Sequence, residues 1–210
     1  MIIAIDGPAA AGKGTLGRRI AEHFGCAYLD TGSLYRAVAL AVLRAGADPG
    51  DKAAAAAAAA ALTPADLDDP GIRSEEAGQA ASRVAALPPV RAALLAFQRN
   101  FAAHPPGNAK GAVVDGRDIG SVVLPSADFK LFVTASEEER ARRRWAELEQ
   151  AGTAQDMEAV LASMRERDRR DAERAVSPMT PAPGAYLLDT TDLDIDAAFA
   201  DAKAYISVPI

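Results

Sequence analysis

Cysteine is almost missing from this chain. Cys26 stands alone among 210 residues, so no disulfide can close within the chain and a thiolate metal site is not supported. Histidine is nearly as scarce: with His23 and His104 only, most zinc chemistries and histidine-base mechanisms are out of reach. Long apolar runs are also lacking. Only one short apolar strand precedes Asp6, which speaks against a secretory leader or membrane span and for a cytoplasmic protein. Asparagine occurs only at 100 and 108, and Asn108 is followed by Ala109-Lys110-Gly111, so the guanine-reading Asn-Lys-x-Asp of GTPase switches is absent. Net positive charge is missing too. A formal charge of −6 argues against nucleic acid as a partner held by a global positive field.

What is present begins at the N-terminus. The apolar run Ile2-Ile3-Ala4-Ile5-Asp6 leads straight into Gly7, Pro8, Ala9, Ala10, Ala11, Gly12, Lys13, Gly14 and Thr15 (GPAAAGKGT). A buried strand, a glycine-bounded loop with a lysine and a helix start form a phosphate-binding P-loop, which points to a nucleoside triphosphate. The glycines let backbone N–H groups face phosphate oxygens, the helix N-terminus adds partial positive charge, and Lys13 can reach the outer phosphates. Gly14 stands where Ser or Thr usually ligates magnesium, with Thr15 one place later.

Half of the residues are hydrophobic, enough to support one α/β domain with small inserted subdomains. Strands are expected at 2–6, 27–29, 112–115, 129–134 and 186–189, alternating with helices. Among these, Thr31 to Ala45 is opened by Thr31-Gly32-Ser33, and helices at 74–86 and 90–103 are broken by Pro88-Pro89. Ser136 and Glu139 form a capping box opening the next helix, and another spans 156–175. The alanine tract 52–62 is helical by propensity alone. The expected fold class is α/β: a P-loop NTPase-type three-layer fold with a five-stranded parallel sheet covered on both faces.

Two further motifs fall at the ligand-binding edge of such a sheet. DTGSLYR (30–36) ends the second strand: Thr31 offers a hydroxyl, the helix N-terminus favours an anion, and Tyr35 and Arg36 lie one turn in. DGRDIG (115–120) follows the third strand. There Arg117 and Asp118 are a fixed cation and acceptor, and Asp115 is placed to hold magnesium through water. Nine arginines lie between 140 and 174. They suit either phosphate recognition or solvated Glu–Arg helix faces.

Together these motifs resemble the cytidylate kinases, bacterial nucleoside monophosphate kinases that phosphorylate CMP and dCMP. The resemblance runs through GPAAAGKGT, LDTGSLYRAVAL, IRSEEAGQAASRVAALPPVRAALLAFQR, VVDGRDIGSVVLPSADFKLFV and RERDRRDAERAVSP. It implies ATP as donor, Mg2+ held by phosphates and water with Thr15 or Asp115 nearby rather than by a direct protein ligand, and a monomer. It implies that Ser82, Arg91 and Asp118 surround the cytosine. Arg36, Arg117 and Arg174 would hold the monophosphate, Arg167 and Asp171 the sugar side, and Thr31 and Tyr35 flank the same ligand. Arg167, Asp171 and Arg174 share one helix face by their i, i+4, i+7 spacing. Lys13, Arg117, Arg174 and Asp115 carry the catalytic expectation, and Arg143 or Arg144 would close over the reaction as a lid. The implied division is a core at 1–30, 110–136 and 176–210, a monophosphate-binding region at 31–109 and a lid at 137–175. Many family members have a longer, partly β-structured insertion; here the alanine tract and 63–71 replace it, so that part should be smaller and less ordered. Two rivals stand beside this reading: a small-metabolite kinase of the shikimate or gluconate type, and an ATP-dependent binding module that transfers nothing.

Overall fold

A computed structural model describes residues 1–153 and 155–208. Five strands form one sheet in the order β2-β3-β1-β4-β5, every neighbouring pair parallel. They are β1 (Ile2–Asp6), β2 (Ala27–Asp30), β3 (Ala112–Asp115), β4 (Phe129–Thr134) and β5 (Tyr186–Asp189). The central strand is the most apolar one, as burial on both faces requires. Alternate side chains of β1 go to opposite layers. Ile3 and Ile5 pack with Leu16 and Ile20 of α1 (Lys13–Phe24) and Ala202 and Ile206 of α8 (Ile195–Ile206). Ala4 packs on the other face with Val114, Ile119 and Ala102, the last from α5 (Pro88–Ala103).

Because β3 and β4 flank β1 on either side, the strand order reverses there, and the crevice at the carboxyl ends of those strands is where open α/β sheets bind ligands. Asp30 and Asp115 are register partners at that edge, and Ile5 pairs with Asp115. The three chain segments carrying the motifs therefore converge.

Two further apolar clusters lie off the sheet. One joins α2 (Thr31–Arg44), α3 (Lys52–Ala60), α4 (Glu75–Val84) and α5 through Leu34, Val38, Ala55, Val84, Val90 and Leu94. The other joins α6 (Glu137–Gln150) and α7 (Met157–Glu173) through Ala141, Leu148, Val160 and Met164. The alanine tract is more regular than expected. Asp51 caps α3 by accepting from Ala53 and Ala54, and Ala55 and Ala59 are buried, so the small side chains let helices approach closely. Where 63–71 was expected to be less ordered, two short 3₁₀ turns form, Pro64–Leu67 and Pro70–Arg73.

Some local expectations need correcting. Pro88-Pro89 does not merely break the chain but starts α5, because proline at the first helical positions loses no hydrogen bond. The Ser136 capping box is half formed: Ser136 Oγ accepts from Glu139 N at 3.2 Å, but the Glu139 carboxylate turns to Arg142 and Arg143. Among the described residues no single helix is long and apolar enough to cross a membrane.

Candidate active site

The phosphate loop is shaped by two glycines. Gly7, at φ 140, lies so close to β4 that a Cβ there would stand 1.9 Å from the Val133 carbonyl oxygen. Gly12, at φ 86, occupies the N-cap of α1 in the left-handed region, which favours glycine. No side chain caps α1 and its first turn carries no acid, so its leading N–H groups remain free for an anion. Lys13 is buried, and its Nζ donates to the loop's own Pro8 carbonyl at 2.8 Å. Burial, reinforced by the charge of Arg117, pushes its amine down to about 7. A bound polyphosphate would restore the ammonium.

Beside the loop lies a cleft of about 300 Å³ lined by Gly12, Thr15, Leu16, Arg142, Arg143, Thr190, Leu193 and Ile195, among others. Arg143 is fixed here, donating to Thr190 Oγ1 at 3.0 Å, Thr190 O at 2.6 Å and Glu139 at 2.8 Å. Arg144 points elsewhere, pairing with Glu75 of α4 at 2.6 Å and Glu147 at 3.0 Å. The two lid candidates thus separate: Arg143 faces the loop cleft, and Arg144 ties α6 to α4.

A second cleft opens across the strand ends, lined by Thr31, Gly32, Tyr35, Ser82, Arg117, Asp118, Arg167, Asp171 and Arg174, with Ala81, Ala85 and Gly116. Residues from α2, α4, the loop after β3 and α7 meet here, and Arg174 joins them from just past the end of α7 (φ −59, ψ 137), not from the shared helix face expected for it. Arg174 donates to Asp118 Oδ1 at 3.1 Å, Arg91 pairs with Asp118 Oδ2, and Arg117 pairs with Asp171 at 3.2 Å. Ser82 does not turn toward Arg91 and Asp118; its hydroxyl donates to Asp171 at 2.8 Å. Arg91 lies behind the lining, between Asp118 and Tyr35 Oη. Arg36 stands at the margin: its Nη2 and Arg167 Nη1 lie 4.0 and 3.7 Å from where a Cβ on Gly78 would be.

Arg167 differs from its neighbours. Its buried Nε has no hydrogen-bond partner, and the side chain joins no salt bridge among the described residues. Burial first, then the nearby Arg117, push its guanidinium down to about 10. Arginines lining the cleft outnumber carboxylates, so the cleft is built for an added anion.

The edge between the clefts is acidic. Asp115 Oδ2 accepts from Tyr28 Oη at 2.9 Å and faces Gly14, whose Cβ would be 3.8 Å away. Burial raises its carboxyl above the usual range. Thr31 neither caps α2 nor stays free. Asp30 caps the helix through Ser33, while Thr31 Oγ1 donates to the Asp115 carbonyl at 2.7 Å, so α2's N-terminus already holds a carboxylate of its own.

The family model described as Cytidylate kinase matches residues 3–207. The cytidylate kinase of Paramagnetospirillum magneticum is 61% identical over 205 residues, covering 98% of this chain and 97% of that one. The chain belongs to the cytidylate kinase family. That of Cereibacter sphaeroides is 62% identical over 196 residues, 93% of this chain and 90% of the relative. Among solved structures, an uncharacterized protein from Eubacterium ventriosum shares the fold, with a TM-score of 0.58 at 16% identity, covering 100% of this chain and 99% of that one.

Two charged groups outside the motifs tie the elements of the site together. Arg140 is buried and donates to Ala9 O of the phosphate loop at 3.3 Å, Ala135 O at 3.1 Å and Asp168 at 2.6 Å. It braces the loop against α7. Glu75 accepts from Gln79, Ser163 and Arg144, joining α4 to α6 and α7. Burial alone would raise the Glu75 carboxyl, but hydrogen bonds from Gln79 and Arg144 outweigh it and hold it at about 2. In sequence these residues look like ordinary helix-surface charges; only their partners distinguish them.

Proposed function

We propose that this member of the cytidylate kinase family transfers the γ-phosphoryl group of ATP to CMP and dCMP, giving CDP and dCDP. The surplus of arginine over carboxylate in a cleft beside a phosphate loop carries the reading: two anion sites of different construction open on one sheet edge. The donor's phosphates lie on the loop amides and Lys13, its base in the cleft past Gly12 and Thr15. The acceptor phosphate takes Arg36, Arg117 and Arg174, and Arg167 and Asp171 hold the sugar side. Asp118, fixed by Arg91, accepts from the cytosine amino group, while Ser82, Thr31 and Tyr35 complete the cleft. Each Asp118 oxygen engaged by arginine keeps a second lone pair for that contact.

The attacking phosphate oxygen is already ionised, so transfer needs no strong base, in keeping with two histidines in the whole chain. Positioning and neutralisation of charge suffice. Magnesium on the outer phosphates would supply further neutralisation. Among the described residues no cluster of three acidic, histidine or cysteine side chains could cage an ion. Asp115, facing Gly14, and the exposed Thr15 fit an ion held through phosphate and water. Arg143, at the loop cleft, is the lid arginine placed to meet the donor.

The division into core (1–30, 110–136, 176–210), acceptor region (31–109) and lid (137–175) is supported by the separate clusters of α2–α5 and α6–α7. A cytoplasmic monomer is part of the same proposal. Release of ADP measured against CMP, dCMP, UMP, AMP and shikimate tests the reading. Turnover with CMP and dCMP is expected; turnover with shikimate alone, or with no acceptor, sinks it.

A further inference from the structure

Asp6 takes no part in the chemistry above, yet it stands where the two halves of the site meet. It ends β1, one residue before the phosphate loop, and is 2% exposed. A carboxylate so placed needs a cation or a set of donors. Its donors are two backbone amides more than a hundred residues away: Ile119 N to Oδ1 at 2.7 Å and Gly120 N to Oδ2 at 2.8 Å. These amides open the π-helical turn Ile119–Val123, which no side chain of its own caps. At the other end of the turn Arg99 of α5 donates to the carbonyls of Val122 at 3.1 Å and Val123 at 3.0 Å. Both ends therefore hold the charge that their exposed peptide dipoles favour.

Asp118 is the residue immediately before this turn, and Arg117 precedes it. Their approach to the cleft is set by how the turn is seated. Gly120 leaves little slack, since a Cβ there would lie 3.1 Å from Ala182 Cβ and 3.4 Å from Asp6 Oδ2.

We infer that Asp6 is a positioning residue for the acceptor base, holding through the Ile119 and Gly120 amides the loop that presents Arg117 and Asp118, in register with the phosphate loop that follows it. This rests on reading the second cleft as the CMP site. One strand end thereby aligns donor and acceptor.

Asp6→Asn preserves shape but replaces one acceptor oxygen with an amide that meets a backbone N–H. KM for CMP is expected to rise about tenfold and the kcat/KM preference for CMP over UMP to fall about fivefold, with KM for ATP within about twofold. An unchanged CMP/UMP ratio in a folded variant, or equal rises in both KM values, overturns the inference. Should the variant not fold, Arg99→Met loosens the same turn from its exposed side, and the same split is expected at about threefold. No change in KM or preference there also overturns it. Amide exchange in the free wild-type protein supplies a readout without substrate. Ile119 and Gly120 should be protected, and exchange at the rate of an open loop would refute the clamp. If wild type turns over no CMP while these amides are protected, the functional reading has failed and the clamp has not.

Discussion

On the proposed reading the two clefts would hold anions by opposite means. Around the phosphate loop the binding groups are backbone amides at an uncapped helix start, joined by a single buried lysine that rests on the loop's own carbonyl. Across the sheet edge the binding groups are guanidinium forks, most of them kept on Asp118 and Asp171. A backbone cradle costs little when empty, because Lys13 can approach neutrality and the amides face an open cleft. A cluster of arginines repels itself, so the second cleft stores carboxylates among them; among the described residues Arg36 reaches only the Ile72 carbonyl and Arg167 leaves its Nε without a partner. The donor side thus depends on shape, the acceptor side on charge balance.

The sharpest way to break this contrast is Lys13→Ala. Turnover is expected to fall by about 10²–10⁴ with the fold intact by circular dichroism, since only the cation is removed. Near-normal kcat would mean that the amides alone bind the donor. On the acceptor side, by contrast, losing a cation should damage the fold as well. Arg117→Met takes the ion-pair partner from buried Asp171, leaving it the Ser82 hydroxyl, and should cost about 3 kcal/mol in denaturant unfolding, besides kcat/KM for CMP. Adding Asp171→Leu should restore stability but not activity; no recovery would mean the pair is not the source.

A finer probe is Asp118→Asn, which can donate as well as accept. The kcat/KM preference for CMP over UMP should narrow by about 1–2 kcal/mol, and an unchanged ratio would assign base reading to another residue. The smallest effect concerns the bridge from α4 to the α6–α7 pair. Glu75 is held at about 2, below its ordinary 4.5, so its stabilising contribution is complete above 4.5 and disappears as pH falls through about 2. Allowing for partial exposure, about 1 kcal/mol should be lost over that window in acid titration of unfolding. Glu75→Gln should flatten that slope, and an unaltered slope would remove the bridge as its cause.

The phosphate loop was legible because its binding groups are contiguous and belong to the backbone. Where glycines stand decides where amides point, and Gly7 and Gly12 take positive φ for that reason. The residues lining the proposed acceptor cleft were legible as candidates but not as a network. Ser82 turned out to serve Asp171, Arg91 lies behind Asp118, and Arg36 sits at the margin. Pro88 and Pro89 read as a break because proline's helix-starting role depends on what precedes it. Asp6 and Glu75 were not singled out, and Arg140 was only one of nine arginines in a charged stretch, because each acts through partners distant in sequence.

From its residues alone this chain specified a parallel α/β sheet, a polyphosphate cradle and the arginines and aspartates available to a second anion. Those follow from short-range rules: apolar runs make buried strands, and glycine spacing makes the loop. Only tertiary structure decided which arginine is paired, which is free, and that the strand end before the cradle grips the turn after Asp118. Pairing of charges depends on distances of a few ångströms between segments that can lie more than a hundred residues apart, and chain spacing does not encode such distances.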